Sequence, residues 1–210
     1  MILKNFIAFE GIDGSGTTTQ LKLLAQACQD SRKPIYFTQE PTDGPIGKLI
    51  RQALAGAICL HEKTIAYLFG ADRCEHLYGV NGIQAQLNAG KAVISDRYVF
   101  SSLAYQGLAV GDALAASING AFPLPEYLFF FDIPVDAALE RVKKRQSPQE
   151  VYENAAFQYK VAEQYEMVLL RAAQAVPEMC LVRLDATQKI EEIHKIIWSI
   201  VKDLPKLITE

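Results

Sequence analysis

Residues 6–19 read FIAFEGIDGSGTTT, an apolar run followed by a glycine-rich loop and three threonines. The run predicts a buried strand, and the leucines that follow the loop predict a helix. Glycines let successive backbone N–H groups turn inward, and the helix start adds unpaired N–H groups and the positive end of its dipole. The stretch therefore predicts a strand–loop–helix unit that cradles phosphate, with the Thr18 hydroxyl placed to bind Mg²⁺. A glycine-rich turn capped by threonines is the alternative interpretation.

The loop departs from the phosphate-binding pattern at one position. The pattern G-x-x-x-x-G-K-[ST] has lysine after its last glycine, where this chain has Thr17. That lysine reaches the β- and γ-phosphates, so either another cation replaces its charge or phosphoryl transfer is impaired. Loss of a comparable charge, the arginine finger, costs about 10³–10⁵ in rate. The loop itself would still bind phosphate.

Five short apolar runs alternate with helix-like stretches, and they occupy residues 5–10, 34–39, 92–95, 127–133 and 180–184. Each is apolar without strict alternation, which is typical of a strand buried on both faces. The alternation predicts an α/β fold with a five-stranded parallel sheet flanked by helices on both faces, which binds ligands at the carboxyl ends of its strands. Nothing divides the chain, so residues 1–210 form a single domain. The basic segment 141–150 (RVKKRQSPQE) predicts a mobile loop, a lid at about 141–151.

Composition excludes several classes of protein. The 210 residues carry 21 basic and 24 acidic side chains, a balance that argues against nucleic acid as a partner. No apolar run reaches 18 residues, so no membrane association is expected. The four cysteines lack metal-ligand spacing and predict reduced, mostly buried thiols in a cytoplasmic protein; they are Cys28, Cys59, Cys74 and Cys180.

Three further segments carry a resemblance to a known family. They are TQEP at 38–41, FGADR at 69–73, and SDRY at 95–98 followed by SSLAYQG at 101–107. With FEGIDGSG, they resemble thymidylate kinase, and the likeness runs from about residue 6 to 201. YEN at 152–154 and LDATQ at 184–188 are similar to the segments after the lid and beside adenine. The resemblance implies the P-loop nucleoside-monophosphate kinase fold, ATP as phosphoryl donor, Mg²⁺, dTMP as acceptor, and a homodimer formed by helices near Arg73.

The resemblance also implies how the acceptor nucleotide is held. Phe69 would stack on thymine and Arg73 would hydrogen-bond the base, while Tyr105 would pack against the sugar. Gln106 belongs to the same motif, and Asp13 would contact the 3′-hydroxyl. The alternatives are a core phenylalanine with an arginine in a surface salt bridge, a core tyrosine and glutamine, and an ordinary turn aspartate.

Phosphate and metal binding are assigned on the same basis. Arg97 would act on the transferring phosphoryl group and the acceptor phosphate, and Asp96 would associate with Mg²⁺ together with Thr18. Arg51 is a candidate for the acceptor phosphate, although Gln39 replaces an arginine of the family's T-R-E-P motif. The expected donor-binding residues are Gly11, Ile12, Asp13, Gly14, Ser15, Gly16, Thr17, Thr18, Thr19 and, against adenine, Arg145.

Three functions are compatible with the sequence. A dTMP kinase would need another cation, and our hypothesis is that Arg141, Lys143 or Lys144 delivers it when the lid closes; a solvated basic turn is the alternative. Another deoxynucleotide kinase on the same fold is the second function. The third is a catalytically silent nucleotide-binding module, which Thr17 favours.

Overall fold

The computed structural model describes residues 1–144 and 155–206. The strands are β1 (Ile2–Glu10), β2 (Ile35–Gln39), β3 (Ala92–Asp96), β4 (Leu124–Asp132) and β5 (Cys180–Asp185). The helices are α1 (Thr17–Asp30), α2 (Pro45–Leu54), α3 (Glu62–Tyr78), α4 (Ile83–Asn88), α5 (Val99–Val110), α6 (Asp112–Asn119), α7 (Val135–Lys144), α8 (Ala155–Ala175) and α9 (Ile190–Val201). All five predicted strands are confirmed.

The strands form one parallel sheet in the order β2-β3-β1-β4-β5. Right-handed crossovers place α1 on one face and the helices of the β3–β4 and β4–β5 connections on the other. In agreement, α1 packs with α9, whereas α5 packs with α6 and α8. The connections leaving β1 and β3 run in opposite directions, so the crevice between these two strands is the switch point where such sheets bind ligands.

The core lies at the middle of the sheet. Phe9 on β1 has its ring centroid 5.2 Å from that of Phe129 and 5.3 Å from that of Phe131, both on β4. All three are essentially inaccessible to solvent. Because the central strands are covered on both faces, their sequences are continuously apolar where they pair.

Two strands begin earlier than predicted. β1 starts at Ile2 and pairs there with Leu124 of β4, outside the expected apolar runs. The polar residues in these extensions contact each other, since Lys4 Nζ lies 3.8 Å from Glu126 Oε1. The Asn5 backbone N–H also donates to Glu126 at 2.7 Å. The ladder itself is extended by the pairs Ile2–Leu124 and Leu3–Pro125, and the polar contacts lie where the register shifts between Leu3 and Ile7.

Two predictions are wrong. Residues 141–144 are the last turn of α7 and not part of a loop, because Val135 and Ala138 bury one helical face and hold it against the protein; the rest of the predicted lid, from 145 to 151, lies outside the described residues. The thiols are free, as expected, but only Cys28 is buried while the other three are exposed. Among the described residues, no helix is long and apolar enough to cross a membrane.

Candidate active site

The phosphate-binding loop joins β1 to α1 at the switch point of the sheet. Gly14 and Gly16 adopt left-handed φ angles of 86° and 102°, which favour glycine. A Cβ on Gly14 would lie 2.4 Å from the Ala138 carbonyl oxygen, so only glycine fits there. No side chain among the described residues caps α1, whose first residue is Thr17. The loop and the first turn of the helix are thus shaped to offer N–H groups to an anion.

The loop meets the end of β3 through two oxygen-bearing side chains. Phe9 on β1 is in register with Asp96 on β3, so the loop begins beside that carboxylate. The Thr18 hydroxyl donates to Asp96 Oδ2 at 3.2 Å. Hydroxyl and carboxylate oxygens are ligands that Mg²⁺ accepts, so the two predicted metal residues stand together and fit the ion.

A cavity of about 280 Å³ opens between the loop, α2, α3 and α5. All the predicted acceptor residues except Arg73 line it, together with Asp96 and the loop. The lining includes Ile12, Asp13, Gly14, Gly16, Thr17, Thr18, Arg51, Phe69, Asp96, Arg97, Tyr105 and Gln106. The lining therefore combines aromatic and amide side chains with cations and the phosphate loop; we call the part beside the loop and Arg97 its charged end, and the part beside Phe69 and Gln106 its uncharged end.

Arg97 is held firmly at the charged end. Its backbone has a left-handed φ of 71°, and its N–H donates to the Phe9 carbonyl at 2.8 Å. The guanidinium donates to the Gly11 carbonyl at 2.9 Å, pairs with Asp13, and lies 5.4 Å from the centroid of the Tyr105 ring. Burial opposes its charge, but the neighbouring Tyr105 and Asp13 keep the pKa of Arg97 well above its ordinary value. Arg97 is a fixed, permanent cation.

The Glu10 carboxylate at the end of β1 holds the start of α5. It accepts from the backbone N–H of Tyr98 at 2.8 Å and of Ser101 at 3.1 Å, so it caps the helix from another element. It also accepts from the Tyr165 hydroxyl at 2.9 Å and from the Ser101 hydroxyl. Ser101 in turn accepts from the Arg97 guanidinium at 3.0 Å. Sequence reasoning did not single out Glu10, although a carboxylate at the end of an apolar strand is a signal that the sequence contains.

Arg51 on α2 and Gln106 on α5 both line the cavity. The Arg51 guanidinium donates to the carbonyls of Pro41 and Thr42 and lies 3.3 Å from Asp43. Gln106 is 3% exposed, and its Oε1 has no hydrogen-bond partner among residues 1–144 and 155–206. A buried, unpaired acceptor on a residue that lines a cavity is a candidate partner for a donor on a bound molecule.

Arg73 lies behind the cavity wall and not on it. It is 1% exposed and donates to Glu40 through Nε at 3.0 Å and through a terminal nitrogen at 2.7 Å. Further bonds run to Asn119, Ser102 and the Tyr98 carbonyl. The surface salt bridge that the sequence left open as an alternative is wrong, because the Arg73–Glu40 pair is buried; contact with a base stays a prediction.

A second cavity of about 250 Å³ lies on the other side of the loop. Arg141 crosses it, donating to the Ser15 carbonyl at 3.3 Å and to the Ala186 carbonyl at 2.9 Å. Gln188, from the segment expected beside adenine, lines it too, and its contact with adenine stays a prediction. Arg145, the residue predicted to pack on adenine, lies outside the described residues. The spacing of Arg141 three residues after buried Ala138 was the signal that could have placed it here.

Burial raises the pKa of Glu10, and this outweighs its hydrogen bonds to Ser101 and Tyr165 and the attraction of Arg97. The folded state then binds more protons than the unfolded state above the ordinary glutamate pKa of about 4.3, so this group makes stability fall as the pH rises. Glu10→Gln should remove that fall. We expect the free energy of unfolding, measured in urea from pH 4 to 8, to decline less in the variant than in the unmodified chain. An equal decline of the free energy of unfolding in the variant and in the unmodified chain would contradict a raised pKa of Glu10.

Comparison with known proteins agrees with the geometry. A sequence profile described as Thymidylate kinase matches residues 9–197. A protein of Treponema pallidum (strain Nichols) is 45% identical over 206 residues, covering 98% of this chain and 99% of its own length. Proteins of Pyrococcus horikoshii and Methanococcus maripaludis (strain S2 / LL) are 40% and 37% identical, covering 94% and 98% of this chain and 95% and 100% of their own lengths. All three carry provisional names as thymidylate kinases. The chain belongs to the thymidylate kinase family.

Proposed function

We propose that the chain transfers the γ-phosphoryl group of ATP to dTMP to give dTDP. The observation that carries this proposal is the contact between Thr18 and Asp96, at 3.2 Å. It joins the phosphate loop to the cavity that Phe69 and Arg97 line. Donor phosphates on the loop and an acceptor phosphate beside Arg97 would therefore meet at one edge of the sheet.

The uncharged end of the cavity suits a thymine base. Phe69 offers a ring face for stacking, and Tyr105 closes the wall on which the sugar would lie. The N3–H of thymine is a donor, and the unpaired Oε1 of Gln106 is a matching acceptor. Asp13, at the charged end, would accept from the 3′-hydroxyl.

Catalysis by this site would consist of positioning and charge neutralisation. Arg97, and Arg51 across the cavity, would hold the acceptor phosphate for in-line attack on the γ-phosphoryl group. The Thr18 hydroxyl and the Asp96 carboxylate would hold Mg²⁺, which supplies positive charge to the donor phosphates when bound. Exclusion of water would favour transfer over hydrolysis.

A panel of acceptors tests this proposal. With ATP and Mg²⁺, we expect turnover to be fastest on dTMP and about ten- to two-hundredfold lower in kcat/KM on dUMP, which lacks one methyl group. dCMP, without the N3–H, should be rejected more strongly, because Gln106 would be left unpaired. A coupled ADP-release assay over dTMP, dUMP, dCMP, dGMP and AMP measures this. Faster turnover of dGMP or AMP would refute dTMP as the acceptor. Inactivity with all five nucleotides would support a catalytically silent module.

Arg141 is proposed to hold the donor nucleotide and to supply positive charge beside the loop that lacks a lysine. Its terminal nitrogen would lie 3.7 Å from a Cβ on Gly16, so the guanidinium borders the loop. Lys143 and Lys144 are exposed on the same helical turn. Of the three candidates in α7, only Arg141 lines the second cavity, of about 250 Å³, where the donor nucleotide would lie.

Arg141→Ala should lower kcat/KM for ATP by about tenfold or more, because a charged donor to the nucleotide is lost. Lys143→Ala is the matched control and should change kcat/KM for ATP by less than twofold. Initial rates at varied ATP and saturating dTMP measure both. Equal effects in the two variants would refute the role of Arg141.

The homodimer is proposed to form through α3. Tyr67, Ala71, Cys74 and Tyr78 make an exposed stripe at helical spacing, with the two tyrosines 57% and 50% exposed. An apolar stripe of this kind is typical of a protein–protein contact.

We also propose that the chain is cytoplasmic, since its four cysteines are free.

Tyr67→Glu should shift the protein toward a monomer, because it places a charge within the stripe. Tyr159→Glu on α8, also at an exposed tyrosine, is the control and should leave the mass unchanged. Sedimentation velocity over a range of protein concentrations measures the association. A monomeric unmodified chain would refute the proposal.

A further inference from the structure

A buried hydrogen-bonded chain runs from the end of β2 to α3, behind the acceptor cavity. The Thr38 hydroxyl lies 2.7 Å from His76 Nε2, and His76 Nδ1 lies 2.9 Å from Glu40 Oε1. The other Glu40 oxygen accepts from Arg73 at 2.7 and 3.0 Å. The side chains of Glu40, Arg73 and His76 are 3%, 1% and 6% exposed. Each oxygen of this carboxylate therefore has its own partner on α3.

Glu40 also lines the acceptor cavity. A carboxylate at this wall would repel an anionic nucleotide if one oxygen lost its partner and turned inward. Arg73 balances one oxygen and His76 fixes the other, so the carboxylate stays aimed into the protein. His76 itself does not line this cavity; it borders a separate cleft of about 720 Å³ that Thr38 also lines.

The segment after Glu40 transmits this fixation to the acceptor phosphate site. Thr42 is tied to α3 as well, since its N–H and hydroxyl donate to the Asp72 carboxylate at 2.7 and 2.6 Å. The Arg51 guanidinium donates to the carbonyls of Pro41 and Thr42. The position of the Arg51 guanidinium thus depends on a short backbone segment that α3 holds at both ends, through Glu40 and through Thr42.

We propose that His76 is a positioning residue for acceptor binding. It acts through Glu40, which it holds away from the cavity and which fixes the segment that carries Arg51. Its effect is expected on the affinity for dTMP and not on the transfer step, because Arg97, which would also hold the acceptor phosphate, is fixed independently by the Gly11 carbonyl and Asp13. This inference rests on the proposed dTMP kinase activity.

Two variants of His76 separate positioning from packing. Leu fills a similar volume without polar atoms, whereas the Asn side-chain amide can take the place of Nδ1 and donate to Glu40. His76→Leu should raise the KM for dTMP and the dissociation constant from calorimetric titration with dTMP by about tenfold or more, the size expected for a buried hydrogen bond to a charged group. The kcat and the KM for ATP should stay within about twofold. His76→Asn should recover most of the dTMP affinity.

Several results would overturn the proposed role of His76. Equal KM values for dTMP in both variants and the unmodified chain, or a loss confined to kcat, would overturn the role of His76. Equal loss of dTMP affinity in both variants would make the role one of packing and would also overturn it. Thermal unfolding of each variant, with dTMP titration of the folded fraction, keeps this test valid if stability falls. An unmodified chain that binds dTMP but does not phosphorylate it would refute the proposed function alone.

Discussion

The carboxylate of Glu10 is the fixed point around which the site is arranged. From the end of the central strand β1 it accepts hydrogen bonds from the backbone N–H groups of Tyr98 and Ser101, at the start of α5, and from the hydroxyl of Tyr165 on α8. These bonds join three elements that are distant along the chain. Because α5 carries Tyr105 and Gln106 and follows directly on Arg97, one buried acidic group orients both ends of the acceptor cavity.

The rest of the geometry follows from the parallel sheet. β1 and β3 end side by side, which brings Thr18 within 3.2 Å of Asp96 and lets the Arg97 guanidinium reach the Gly11 carbonyl. The missing lysine leaves this arrangement intact, since the backbone of the loop and not that side chain forms the cradle. Two arginines border the loop: the Arg97 guanidinium donates to the Gly11 carbonyl, and the Arg141 guanidinium donates to the Ser15 carbonyl.

The strands and the glycine loop could be predicted from local sequence, whereas the end of α7 and the burial of Arg73 depend on contacts between separate parts of the chain. Buried strands and the glycine loop have local signals, so they were found within a few residues. The end of α7 was missed because the polarity of residues 141–144 concealed a buried face set by Val135 and Ala138. The burial of Arg73 was not predictable, because Glu40 and Asn119, which surround it, are 33 and 46 residues away in sequence. No local pattern records such a pairing.

Turnover of dTMP by the unmodified chain beside Thr17→Lys tests the central claim most directly, that the site works as a kinase without the loop lysine. Our account predicts that the unmodified chain phosphorylates dTMP and that the added lysine changes kcat by less than about tenfold, far below the effect of a required transition-state cation. An unmodified chain that is inactive with every acceptor, together with an active Thr17→Lys variant, would contradict it.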